Sequence, residues 1–401
     1  MPWSRICFAA LLSALSICAD SRAQTNSGQD GPTVTPTVTP KKTTTGWPSY
    51  RGNPAMHGVA PGKLADKFKL AWSFKTDGAV LSSPVVAGDT VYFGSGDQSI
   101  YAVHLLTGTK KWSFKTDDMI DAPPLVVDGR VYIGSSDFFL YALNAKTGKL
   151  EWKFETGDTI LGAANYARMK DGTTRIIVGS YDSNLHCFEA KTGKKLWSYE
   201  TGNYINGTPA ILGDYAVFGG CDAVLHVVSI TTGKKVKEVE LGADCHVAGS
   251  VALAKNRVYF GHYGNAFICV DLDDMKKPTW VYPNNRHAFF SSPAILEDRV
   301  VFGGRDKKLH CVSRKLGKPL WTFPTKRKID GSPVACGDKV VFGSGDGRLY
   351  VLDVKTGKEV WKYEIGRPIF SSPAIANGMI LIGSNDDHLY AFSPVRAKKT
   401  N

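Results

Sequence analysis

The stretch Val340-Val341-Phe342-Gly343-Ser344-Gly345-Asp346-Gly347-Arg348-Leu349-Tyr350-Val351-Leu352-Asp353-Val354-Lys355-Thr356-Gly357-Lys358-Glu359-Val360-Trp361 decides the fold. An apolar run breaks at Gly-Ser-x-Asp. A second short apolar run follows, then a Lys-Thr-Gly turn, and a tryptophan four residues past the turn glycine. Apolar runs of this length between glycine and aspartate signals read as short strands joined by tight turns. The same string recurs at Val91–Asp97, Val131–Asp137, Ile176–Asp182, Ala216–Asp222, Val258–Gly264, Val300–Asp306 and Ile380–Asp386. Its anchor glycines, Gly94, Gly134, Gly179, Gly219, Gly261, Gly303, Gly343 and Gly383, lie 40, 45, 40, 42, 42, 40 and 40 residues apart. A register this regular marks an internal repeat.

Outward from the anchor, small residues and proline precede most copies, as at Ser83-Pro84, Ser292-Pro293, Ser332-Pro333 and Ser372-Pro373. Each copy therefore reads as four strands, the last carrying the tryptophan. A period near forty with four strands per unit predicts an all-β, eight-bladed propeller of four-stranded antiparallel blades. One blade cannot bury both faces of its own sheet, whereas a closed ring can. The phase of the repeat adds a prediction. The chain supplies an isolated fourth-type strand at Lys69–Lys75, containing Trp72, and its last copy ends after a third-type strand at Leu389–Phe392. These two should pair and close the ring.

The propeller is thus expected over 47–393, flanked by other material. Residues 1–23 read as a signal peptide: Arg5 precedes an apolar run from Ile6 to Ala19, and Ser21-Arg22-Ala23 offers small residues at a cleavage site. Cys18 is a weak lipidation candidate, because Ile17 stands where a small residue is needed. Residues 24–46, with their proline-spaced threonines, read as a flexible linker, and 394–401 as a basic tail. No later segment is apolar enough to span a membrane. The net charge of +12 argues for solubility and acidic partners, not for a fold.

The Ala-Lys-Thr-Gly-Lys-x-x-Trp strings and Gly-Ser-x-Asp turns resemble the PQQ-type repeat with its tryptophan-docking motif. The lead-in Trp47-Pro48-Ser49-Tyr50-Arg51-Gly52 is similar to the segment preceding many such propellers. The resemblance covers about 47–393. It implies the eight-bladed ring shared by quinoprotein dehydrogenases and the outer-membrane assembly factor BamB-like proteins. In the dehydrogenases it implies a quinone held between a tryptophan and a disulfide of adjacent cysteines, beside calcium. This sequence has no adjacent cysteine pair and no cytochrome-type Cys-x-x-Cys-His. Its length is that of a bare propeller.

Residue types that suggest chemistry recur too often to be catalytic. Trp72, Trp112, Trp152, Trp197, Trp280, Trp321 and Trp361 read as blade-docking residues, with Lys237 in the slot at one junction. Seven aspartates at one turn position, Asp97, Asp137, Asp182, Asp222, Asp306, Asp346 and Asp386, read as turn residues. His186, His226 and His310 share the slot of Tyr101, Tyr141, Tyr350 and Tyr390, and read as packed residues. Cys187, Cys269 and Cys311 fall on strands as buried thiols, while Cys221 and Cys245 form a candidate disulfide. His246 and His262 lie near them, without a tight metal-ligand spacing. The loops of blades 1 to 3 offer Asp77, Asp117, Asp118, Asp121 and Asp158. Those of blades 6 to 8 offer Arg286, His287, Lys326, Arg327, Lys328 and Arg367, with Phe289, Phe290 and Phe370, as a candidate partner-binding arc.

The expectation is therefore a non-catalytic, exported scaffold, monomeric, in the periplasm or cell envelope. It would bind other envelope proteins, or acidic or extended polypeptides, with no cofactor, no metal and no specific nucleic acid. A quinone (PQQ)-dependent dehydrogenase and an acidic-polymer binding module are the alternatives.

Overall fold

The computed structural model describes residues 46–242, 244–284 and 286–395. The expected signal peptide, Cys18, all but the last residue of the linker, and most of the basic tail lie outside the described residues. Every regular element among the described residues is a β-strand, arranged in eight sheets. Blade 1 is built from Val85–Ala87, Thr90–Ser95, Ser99–His104 and Lys110–Lys115. Blades 2 to 7 repeat this order over 125–155, 165–200, 210–240, 252–283, 294–324 and 334–364. Blade 8 takes its first three strands from 374–394, and its fourth is Phe68–Lys75, antiparallel to His388–Pro394. The ring closes as the phase of the repeat predicts.

The anchor glycines explain the angular fit between blades. A Cβ on Gly134 would lie 2.2 Å from Ile160, the lead-in residue of the next blade. The same clash recurs for Gly94 with Ile120, Gly179 with Ile205, Gly219 with Val247, Gly261 with Phe289, Gly303 with Ile329 and Gly343 with Ile369. Gly383 meets Val80 and completes the circle. Glycine is required here because a neighbouring side chain occupies the space of its own.

At the rim, six of the seven docking tryptophans lie over the turn glycine of the following blade. Trp112 covers Gly148, where a Cβ would sit 2.6 Å from the indole, and Trp112 Nε1 donates to the Ala145 carbonyl at 3.0 Å. Trp72, Trp152, Trp197, Trp280 and Trp321 donate in the same way to Leu105, Ala190, Ile230, Arg314 and Val354. Lys237 stands in for the missing tryptophan, its Nζ donating to Leu272 O at 2.6 Å. Trp361 packs against Phe68 and Phe392 at the closure. A bulge just before the docking residue re-aims the outer strand in seven of the eight blades.

The lead-in segment 47–60 fills the middle of the ring. Inner strands donate backbone N–H groups to it from Val86, Val126, Ile211, Leu253, Ile295 and Ala335, reaching the carbonyls of Trp47, Pro48, Pro54, Ala55, His57 and Gly58. Asn165 Nδ2 adds blade 3, and the Tyr50 hydroxyl reaches Ser332 and Ser372 in blades 7 and 8. At the centre lies Arg51, 1% exposed, donating to the carbonyls of Pro293, Ser332 and Pro333 at 2.6–3.2 Å. Burial lowers its pKa to about 10. Around this segment runs a chain of bonds in which one blade's N–H donates to the next blade's hydroxyl: Ala163 to Thr208, then Ser250, Ser292, Ser332, Ser372 and Ser83. Pro123 and Ala163 occupy the hydroxyl position in blades 2 and 3, which interrupts the circle there.

Two outcomes are expected. Trp112→Ala should cost about 3–5 kcal/mol of unfolding free energy, because the indole is 9% exposed and its removal leaves a cavity over Gly148. Denaturant titration measures this. Deleting residues 47–76 should remove both the central segment and the closing strand, leaving His388–Pro394 as a bare edge. Size-exclusion chromatography should then show oligomers; a stable monomer would contradict the closure.

Candidate functional site

The loops leading from blade to blade, and those joining second to third strands, share one face, here called the upper face. The repeated aspartates bind the two loop sets together. Asp182 accepts from Gly157 N at 2.9 Å, from Asn184 N at 2.9 Å and from His186 Nε2 at 2.8 Å. Asp222 repeats this with Gly202, Val224 and His226. Asp97, Asp137 and Asp346 use the tyrosine hydroxyls of Tyr101, Tyr141 and Tyr350 instead. Histidine and tyrosine therefore alternate in one slot because each can donate to the carboxylate four residues earlier. These aspartates and histidines are framework, and among the described residues no three His, Cys, Asp or Glu gather as a metal site.

The Asp182 carboxyl shows the energetics. Burial would raise its pKa, but the His186 imidazole and the two N–H groups outweigh that and hold it at about 2. A carboxyl depressed below its unfolded value of about 3.9 stabilises the fold above that value and loses this contribution as pH falls. Asp182→Asn should therefore lower the melting temperature at pH 7, and its gap from the parent should close between about pH 4 and pH 2. A gap that ignored pH would show that the charge has no part.

The predicted arc divides on inspection. Arg286, His287, Lys326, Arg327 and Arg367 are exposed and form no ion pair among the described residues. Lys328 instead pairs with Asp330 at 2.6 Å and lies 5.0 Å from the Phe370 ring centroid. Phe290 and Phe370 are half-buried at the surface. Phe289 is a correction: it is 0% exposed, holding the lead-in position against Gly261 and packing on Phe267, Phe302 and His310. It cannot touch a partner. The disulfide is a second correction. Cys221 and Cys245 are not bridged; Cys221 Sγ accepts from Asn206 Nδ2 at 2.9 Å, and Cys245 is buried against Gly264. The thiols of Cys187, Cys269 and Cys311 are pushed up to about 12, 11 and 12 by burial, as inert core groups are. His262 is held down at about 4 by burial.

Three upper-face residues, Tyr181, Tyr263 and Arg305, escaped the sequence reading. Two positions past the anchor glycine the repeat reads Gly96, Ser136, Tyr181, Cys221, Tyr263, Arg305, Gly345 and Asn385. This column varies between an invariant glycine two positions before and an aspartate that follows it in seven of the eight copies, which is the signal that could have found it. Arg305 makes a two-pronged bond to Asp330, at 3.0 and 3.2 Å, and lies 3.6 Å from the Phe290 ring centroid. Tyr263 meets Phe290 at 4.5 Å, and Tyr181 stacks on Tyr204 at 4.9 Å while its hydroxyl meets Asn206. His246 reaches the Cys221 carbonyl. Across the ring, Asp121 has a carboxylate oxygen without a partner, and burial with the nearby Asp118 charge raises its pKa. An aromatic and cationic arc thus faces an acidic one.

Comparison with known proteins agrees with this architecture. A family described as the beta-alanine-activating enzyme β-propeller matches residues 120–367, and one described as outer membrane protein assembly factor BamB matches 64–123. No curated protein matches. Among solved structures, BamB from Moraxella catarrhalis is 19% identical with a TM-score of 0.67, over 84% of this chain and 99% of that one. A europium-containing methanol dehydrogenase is 16% identical with a TM-score of 0.72, over 88% and 98%. A quinohemoprotein alcohol dehydrogenase from Comamonas testosteroni is 14% identical with a TM-score of 0.76, over 89% and 82%. At such identities these structures speak to the fold alone. With 120–367 matched and the eight-bladed ring in place, the chain belongs to the β-propeller family of the beta-alanine-activating enzyme, among the PQQ-like repeat propellers.

Proposed function

We propose that this protein is a non-catalytic, exported binding scaffold of the cell envelope, similar in role to BamB, that holds other envelope proteins against its upper face. The observation that carries this reading is the set of exposed cations Arg286, Lys326, Arg327 and Arg367, which form no ion pair among the described residues, raised on a ring beside half-buried Phe290 and Phe370. Such a surface steers an acidic partner and gives it apolar contact once it docks. The match of 64–123 to the BamB family supports the same reading. The likeness to methanol and alcohol dehydrogenases favours a second reading, a quinone-dependent oxidoreductase. The residues at the upper mouth do not fit that cofactor: Tyr181, Asn206, Cys221, Tyr263 and Arg305 include no adjacent cysteine pair and no set of acidic ligands for calcium.

Two experiments test the proposal. The full chain, used as bait on envelope extracts, should retain partners at low salt and release them as salt rises, since exposed charges are screened within about 8 Å at physiological ionic strength. Replacing Lys326, Arg327 and Arg367 with glutamine should weaken retention and leave the melting temperature nearly unchanged. Equal retention by this variant at every salt concentration would discard the arc. Mixed with pyrroloquinoline quinone and calcium, the chain should neither bind the quinone tightly nor reduce a dye with alcohols; sustained turnover would replace the scaffold with the oxidoreductase.

A further inference from the structure

Between the fifth and sixth blades a groove of about 560 Å³ opens beside the upper face. Asn284, Arg286 and His287 form one wall, and Lys308, His310 and Thr322 the other. One of its walls departs from the repeat. Nine positions separate Trp280 from the lead-in Phe289, whereas eight separate Trp112 from Ile120 and Trp321 from Ile329. The extra residue lengthens the loop that carries Arg286 and His287.

A second departure leaves the groove short of negative charge. In blade 7, Arg348 faces Glu364 across the third and fourth strands, and the two form an ion pair at 2.8 Å. In blade 6 the same register sets Lys308 against Pro324. The carboxylate supplied at this position by Glu155, Glu200, Glu240 and Glu364 is replaced by Pro283 and Pro324 in the two blades that flank the groove. Lys308 and Arg286 are exposed, and neither forms an ion pair among the described residues. The floor, in contrast, is satisfied and fixed: Tyr282 Oη lies 3.0 Å from His310 Nδ1, and His310 Nε2 lies 3.0 Å from Asp306.

We propose that this groove docks an acidic, extended segment of a partner protein, with carboxylate side chains paired to Arg286 and Lys308 and hydrogen-bonded by Asn284 and Thr322. This rests on the scaffold reading and names the partner's chemistry. Singly charged carboxylates suit the site better than a phosphate chain, because the Asp306 carboxylate at the floor repels dense negative charge. Guanidinium and ammonium groups at the walls supply charge-assisted bonds, and the fixed floor limits the ordering cost.

The test is fluorescence anisotropy of a labelled hexaglutamate peptide with the full chain at low salt. Binding is expected, weakening by about tenfold or more in Arg286→Gln/Lys308→Gln. It should be unchanged in Lys191→Gln/Lys194→Gln, whose lysines are exposed on a distant turn of blade 3. Melting temperatures of all three proteins should agree. No binding, equal binding by the groove variant, or tighter binding of tripolyphosphate than of hexaglutamate would overturn the proposal. The two readings fail separately. If envelope partners are captured equally well by the groove variant, the groove is wrong and the scaffold stands. If hexaglutamate binds at the groove while no envelope protein is captured, the reverse holds.

Discussion

The contact on which the ring depends is a glycine pressed against the lead-in residue of the next blade. It occurs eight times, from Gly94 on Ile120 round to Gly383 on Val80. A close approach of this kind leaves no room for a side chain on one partner, so the relation between adjacent sheets is fixed by packing. The inner three strands of every sheet are buried on both faces, and only a closed circle hides them all from water. The tryptophan over the turn glycine performs the same fastening at the rim. Between these contacts each blade is held at its inner and outer ends, and small departures in one repeat have local consequences. Between blades 5 and 6 the lead-in residue is Phe289 in place of isoleucine or valine, the loop before it is one residue longer than at most junctions, and the groove lies beside it.

The ring also holds its own N-terminal segment. Backbone carbonyls of 47–58 accept from the inner strands of blades 1, 2 and 4 to 7, which satisfies donors that a bare channel would leave to water. Arg51 is stabilised there by three carbonyls, with no carboxylate partner among the described residues, a neutral solvation shell for a charge at the centre of the protein. The segment then leaves through the parallel pairing of Val59–Ala60 with Ala335–Cys336 and becomes the closing strand of blade 8. One length of chain thus fills the centre and seals the circumference.

Function in such an architecture lies in what the repeat leaves free. Asp182, His186 and their counterparts are consumed in tying loops together, so a fixed scaffold presents the variable positions. Tyr181, Tyr263 and Arg305 occupy one column of those positions. Arg286 sits on a lengthened loop, and Lys308 faces a proline where Arg348 faces the carboxylate of Glu364. Opposed acidic and basic arcs on one face set up an asymmetric electrostatic potential across it.

By itself the sequence determined the blade count, the four-strand unit, the docking role of the tryptophans, the framework role of the aspartates and the pairing of the Trp72 strand with the last blade. These are legible because periodicity in sequence becomes periodicity in space, and a residue type repeated at one position states its environment eight times over. What happens only once in the chain could not be read that way. That 47–60 fills the channel, that Phe289 faces inward while Phe290 faces out, that Arg305 reaches Asp330, and that Cys221 meets Asn206 in place of Cys245 all depend on which segments the closed ring brings together. Those contacts join separate segments of the chain, and their distances are set by the packing of glycine on lead-in residue, which only the tertiary structure decides.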